Sequence, residues 1–392
     1  MTTLSFYELQ QIHIVSGMGL DPFSWYKQMR TTDPVSVDEQ NRLCELFRYE
    51  EVRALLADPL LFSSRGMLTG VEEGEEAERG SIMAIDPPRH NKLRALVAQA
   101  FTPRAIAKLT DTIRGIVNEL LDASTTSGTL DVIRELSLPL AMRVISRTLG
   151  VPLTQQADFE RWIADAIGTS PEKAVAAWEA LEGYMHGLLA QKRKEREDDL
   201  ISTLLDAEVD GELLSDREIV GFCVLLLGTG FEPVQYFIGN LFLCLDEHPA
   251  ARAQLWADPS LIPGTHEEVL RFRPVIHRIP RRVTRDTEIC GKPLKAGYWV
   301  FAWLASANRD EEQWSNPEVF DIQRSPNPHL GSGSGIHTCL GAPLARLEAK
   351  IALEQIIERF KDVQRIQEAP LQFITSYHFH GLQHLPVRVY KR

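Results

Sequence analysis

The chain has 392 residues, of which 44% are hydrophobic and 24% charged, and its formal net charge is -12. This is the composition of a globular protein with a large core, and the acidic balance argues against nucleic-acid binding, which needs a basic face. Residues 1–20 lack a basic stretch followed by an apolar run, and no run of about 18 consecutive apolar residues occurs. These features lead us to expect a cytoplasmic protein with no membrane anchor.

Helical periodicity dominates the pattern. Residues 71–79 are acidic and polar and read as a loop. Asp86-Pro87-Pro88 is a start signal for a helix over 91–101, with Leu93, Leu96, Val97 and Ala100 on one face. A second helix is expected over 103–121 from Ile106, Leu109, Ile113, Val117 and Leu121. The charge run 191–199 reads as a solvated helix face or turn. Ser215 and Glu218 form a capping-box pattern at the start of a long helix over 215–243, apolar enough to be buried all round. The same pattern in Thr265 and Glu268 predicts a short helix over 265–272. Strand signals cluster late, at 282–289, 298–303 and 373–390. An amphipathic helix over 341–360 follows a glycine-rich loop. No internal repeat or low-complexity linker interrupts the chain. The fold class expected is mainly α with a small β-rich region, as a single domain over 1–392.

The five cysteines, Cys44, Cys223, Cys244, Cys290 and Cys339, form no CxxC pair. Their scatter fits neither a disulfide framework nor a clustered zinc site. Cys339 stands apart in the run HLGSGSGIHTCLG, residues 329–341. Gly331, Gly333 and Gly335 precede it and Gly341 follows, which permits positive φ and close approach of a flat ligand. A helix beginning just after a cysteine presents N–H groups and a positive dipole end to the sulfur, which favours the thiolate. A thiolate so placed is able to serve haem iron as axial ligand.

The run GxGxHxCxGxxLAR, Gly333 to Arg346, resembles the haem-binding loop of the cytochrome P450 family. The resemblance covers nearly the whole chain, with further motifs in the family's order. It implies haem b, with Cys339 as the iron ligand and Gly333 and Gly341 in the cofactor loop. It also implies propionate contacts from His90, Arg94, Arg281 and His337. Glu268 and Arg271 resemble the family's ExxR pair, with Arg324 as third partner in a structural network behind the loop.

Two positions depart from the family's pattern. Ser332 stands where the family has a phenylalanine that shields the sulfur, and a hydroxyl there would weaken electron donation to iron. Over the haem the family reads Ala/Gly-Gly-x-Asp/Glu-Thr-Thr, and this chain reads Thr229-Gly230-Phe231-Glu232-Pro233-Val234. Gly230 and the acid Glu232 are kept, while the alcohol that helps deliver protons to dioxygen is replaced by Pro233. Pro233 leaves the Thr229 carbonyl without its helical partner, so a kink is expected.

The resemblance implies a monooxygenase that inserts one oxygen atom into a C–H bond of a hydrophobic small molecule. No flavin or nicotinamide segment follows the last motif, so electrons are expected from a separate ferredoxin or flavodoxin. Arg104, Arg346 and Lys350 are candidates for docking it. Loss of the alcohol also raises a peroxide-driven or non-hydroxylating reaction, such as cyclisation or rearrangement, and a haem protein without turnover is a third reading. Substrate-lining candidates lie at 67–84, 162–178, 231–234, 274–279 and 377–382, with His277, Arg278, Tyr377 and His378 as polar options.

Overall fold

The capping box at Ser215 is made. Its hydroxyl oxygen accepts the Glu218 N–H at 3.3 Å, and the Glu218 carboxylate accepts the Ser215 N–H at 3.0 Å. From this cap the central helix, Asp216–Glu247, runs for 32 residues in the computed structural model and continues through Pro233. The model describes residues 22–67, 81–166, 171–209, 211–374 and 379–392. The loop expected at 71–79, together with Tyr377 and His378, lies outside them.

The central helix is long and apolar enough to cross a membrane by composition, yet most of it is buried inside the protein. Helices Leu138–Leu149, Pro171–Lys194, Ile262–Phe272 and Ala342–Arg359 pack around it. Its apolar composition therefore serves a protein core.

Three helix expectations need correction. The stretch 103–121 forms two helices, Pro103–Ala107 and Thr110–Ser124, with Leu109 at the break. The break keeps Ile106 and the stripe Ile113, Val117 and Leu121 all buried. The short helix begins at Ile262, with a proline in its first turn, which is the stronger start signal. Thr265 lies inside it and donates its hydroxyl to the Leu261 carbonyl at 2.9 Å, so Thr265 and Glu268 form no capping box. In the charge run, residues 193–198 are exposed as expected, but Lys192 is only 2% exposed and pairs with the buried Asp199 at 2.6 Å.

The β content is small but reaches further back than expected. A five-stranded sheet has the order Val35–Asp38, Leu43–Leu46, Trp299–Ala302, Ile279–Val283, Phe62–Ser63. Trp299–Ala302 runs parallel to Leu43–Leu46 and antiparallel to Ile279–Val283. The expected strand over 282–289 is split, its second half being Thr287–Ile289 in a separate hairpin. A three-stranded sheet joins Phe360–Arg365, Pro386–Lys391 and Thr129–Asp131. Phe360 thus ends the predicted last helix and opens a strand. Phe23, Tyr26, Phe47 and Trp303 form an aromatic cluster beside the larger sheet.

Candidate active site

Cys339 sits where an irregular loop turns into helix Ala342–Arg359. Its backbone N–H donates to the Ser332 carbonyl at 2.9 Å, so Ser332 fixes the loop through its main chain. Gly333 and Gly335 take φ of +72° and +71°, which glycine alone adopts freely. A Cβ at Gly331 would collide with the Leu270 carbonyl, so the loop lies directly on the short helix. Gly341 has φ -81° with open space around it, and its contribution is its backbone N–H. That N–H and the one of Ala342 both bond to the Cys339 sulfur.

The surroundings pull the thiol in opposite directions. Burial raises its pKa, while the two N–H groups and the charges of Arg94 and Arg346 lower it, and the net result lies above the ordinary value. The residue nonetheless exposes surface. The lowering expected from the helix end is present but outweighed.

Behind the loop, Glu268 and Arg271 are both fully buried and form a two-pronged pair at 2.8 Å in each contact. Arg324 joins at 3.2 Å and Asn327 donates to the same carboxylate at 3.2 Å. Arg271 also donates to the carbonyls of Asn308, Pro317 and Val319. Asn308 in turn accepts the Leu330 N–H at 2.7 Å, which ties the network to the cysteine loop.

The four nitrogen-bearing residues singled out in the sequence come together beside this loop. The rings of His90 and His337 stand 4.3 Å apart. Arg94 donates to the Thr338 carbonyl at 2.6 Å, one residue before the cysteine. Arg281 is 4% exposed, and among the described residues its Nη1 donates to the Pro280 carbonyl and the Met67 sulfur. Burial pulls its pKa down to about 10. His337 is pulled down to about 3 by burial and by Arg281, His90 and Arg94. His90 is lowered by burial as well, and its buried Nε2 has no hydrogen-bond partner among the described residues.

Asp86 is the nearby acid, and it is occupied by Ser63 and the Ser64 N–H. Two neutral imidazoles and two guanidiniums around a cysteine fit the two carboxylates of a haem. Sequence reasoning missed Ser64, which is fully buried and places its hydroxyl 3.0 Å from His337 Nε2. No pattern in the sequence marks it.

On the central helix, Glu232 is 9% exposed and its Oε2 has no hydrogen-bond partner among the described residues. Desolvation pushes its pKa up to about 7. The Thr229 hydroxyl bonds back to the Leu225 carbonyl at 2.8 Å and so does not replace the missing alcohol. A Cβ at Gly230 would collide with Ile145, which makes Gly230 a point of close helix packing. The polar options at 274–279 belong to the aromatic core. His277 bonds the Tyr26 hydroxyl at 2.7 Å, and the Arg278 guanidinium lies over Phe301 and Trp303.

The family model for cytochrome P450 matches residues 260–379. The chain is 37% identical to the erythromycin C-12 hydroxylase of Saccharopolyspora erythraea, over 93% of each chain. It is 39% identical to the cyclomarin C epoxidase CymV of Salinispora arenicola, over 87% of this chain and 89% of that one. Among solved structures, substrate-free CYP109E1 from Bacillus megaterium matches with a TM-score of 0.89 and 38% identity, covering 95% of this chain and 100% of that one. The same protein in complex with testosterone matches with a TM-score of 0.88 and 38% identity, over 97% and 99% of the two chains. Identity of this extent, over nearly the full length of both partners, shows that the chain belongs to the cytochrome P450 family, whose members are haem b monooxygenases acting on small organic molecules.

Proposed function

We propose that Cys339 holds the haem iron as a thiolate, with Arg94, Arg281, His90 and His337 binding the propionates, and that the enzyme oxidises a bulky hydrophobic molecule. The observation that carries this reading is the gathering of four nitrogen donors, two of them neutral imidazoles, around a cysteine whose sulfur accepts two backbone N–H groups. Haem would supply the chemistry of dioxygen activation, with a thiolate donor favouring O–O cleavage.

The protein's own groups orient, exclude water and move protons. The Gly341 and Ala342 amides stabilise negative charge on the sulfur. Arg281 and Arg94 hold carboxylates in place with their forked donors. Desolvation pushes the Glu232 pKa up to about 7, so its nearly buried carboxyl exchanges a proton around neutral pH and is able to donate it at the central helix. With Pro233 in place of the alcohol, Glu232 and water form the relay.

The names of the relatives give small organic molecules, erythromycin, cyclomarin C and testosterone among them, which supports a substrate of this class. His277 and Arg278 are bonded elsewhere, which leaves the segment at 274–279 mostly apolar for substrate. Electrons would come from a separate ferredoxin or flavodoxin. Arg104 remains a candidate for its docking, whereas Arg346 is paired with Glu267 and Lys350 with Glu354. The chain is read as one cytoplasmic domain over 1–392. Peroxide-driven oxidation is the second reading, favoured specifically by Pro233.

The test is the absorption spectrum of the reduced, CO-bound protein. The parent should show the band of a thiolate donor and Cys339→Ala should lose it. A mutant that keeps both colour and band defeats the assignment. Turnover with ferredoxin and reductase, compared with turnover on added peroxide, separates the two reactions.

A further inference from the structure

Glu267 precedes Glu268 in the short helix, and its carboxylate makes none of the bonds of the Glu268 network. It instead reaches both ends of the cysteine loop. At the entry, His329 Nε2 lies 3.0 Å from its Oε2. At the exit, Arg346 donates Nε to Oε1 at 2.6 Å and Nη2 to Oε2 at 2.8 Å. His329 carries the hold inward, because its Nδ1 accepts the Gly331 N–H at 3.1 Å. That acceptance leaves the ring proton on Nε2, where it points to Glu267. Gly331 is the residue pressed against Leu270 of the same short helix. One carboxylate therefore binds the loop before and after the cysteine to a single rigid element.

The same carboxylate governs a charge. Arg346 is one of the two arginines whose charge acts on the Cys339 sulfur. Burial pushes the Glu267 carboxyl up, but hydrogen bonds from Arg346 and His329 outweigh it and hold the pKa at about 2. The Glu267 side chain is 34% exposed and that of Arg346 31%, so the pair is partly screened but remains close to the loop.

We infer that Glu267 is a positioning residue that clamps the cysteine loop through His329 and Arg346 and sets how much of the Arg346 charge reaches the iron's sulfur donor. The inference rests on the reading of Cys339 as that donor. It also means that an acidic redox partner meets Arg346 already neutralised.

The experiment is a redox titration of purified holoenzyme variants, with the rate of haem transfer to excess apomyoglobin as a second readout. Glu267→Gln leaves the guanidinium uncompensated, which favours the more negative reduced centre, so the midpoint potential should rise. Arg346→Gln leaves the carboxylate unopposed and should lower it. The double variant should return towards the parent. His329→Phe breaks the entry contact with no change of formal charge, so haem release should quicken several-fold while the potential stays near the parent's. Arg346→Lys keeps the charge but loses the fork and should behave likewise. Shifts of the same sign in Glu267→Gln and Arg346→Gln, or none in either, would overturn the clamp in proteins whose circular dichroism matches the parent's. Should Arg346→Gln fail to fold, the contrast of Glu267→Gln with Arg346→Lys decides in the same way. A parent without the thiolate CO band overturns the reading of Cys339 and the clamp together. A parent with the band and variants without shifts overturns the clamp alone.

Discussion

Two buried glutamates frame the site and have opposite surroundings. Behind the cysteine, Glu268 accepts bonds from Arg271, Arg324, Asn327 and the Asp321 N–H, and both it and Arg271 are sealed from solvent. On the central helix, Glu232 is nearly as buried, but its Oε2 has no partner among the described residues. Multiple donors hold the first carboxylate in one geometry. Desolvation without donors raises the pKa of the second to about 7, so that its protonation changes around neutral pH. In the proposed function, the first is a fixed scaffold and the second a group that changes its charge.

The largest effect should come from breaking the saturated side. Glu268→Ala strands two arginines, one of them fully buried, and should cost about 3–5 kcal/mol of stability. Denaturant unfolding measures it, and a loss near zero would mean the network carries no structural weight.

The unsaturated side should respond to pH. The Glu232 carboxyl is raised from 4.5 to about 7 in the folded protein. Between those values the folded chain holds a proton that the unfolded chain has released. The associated stability is complete below the unfolded value and is lost as pH rises through 7. Glu232→Gln removes this dependence, so its stability relative to the parent should grow by about 2–3 kcal/mol from about pH 5 to about pH 8. A difference that is flat with pH would place Glu232 in the same class as Glu268.

The smallest expected effect concerns the proline. Pro233→Thr restores a backbone donor for the Thr229 carbonyl and should raise stability by about 1 kcal/mol, part of the cost of proline in a helix interior. It should also lower the peroxide released per electron pair in assays with ferredoxin and reductase. Unchanged peroxide would show that Glu232 and water already suffice.

Local signals carried the elements they could reach. Ser215 with Glu218 marks the start of the central helix because a cap needs only residues three apart. The strands Val35–Asp38 and Leu43–Leu46 pair with each other as a short hairpin, and Leu43–Leu46 also pairs with Trp299–Ala302, over 250 residues away; four residues give too short an alternation to mark a strand. Thr265 and Glu268 matched the cap pattern and misled, because Glu268 is claimed by arginines from its own helix and from residue 324. His277 and Arg278 looked like pocket groups from their position, but Tyr26, Phe301 and Trp303 surround them with distant aromatic rings.

The sequence by itself determined the chemistry of the cysteine loop, its glycines, and the identities of the groups able to meet carboxylates, since these are properties of residue type and short spacing. Only the tertiary structure decided which charges are satisfied. Arg346 is held by Glu267, Asp86 by the serines, and Glu232 Oε2 has no partner among the described residues. The reason is that charge satisfaction depends on distances of a few ångströms between segments far apart in the chain, which no local pattern records.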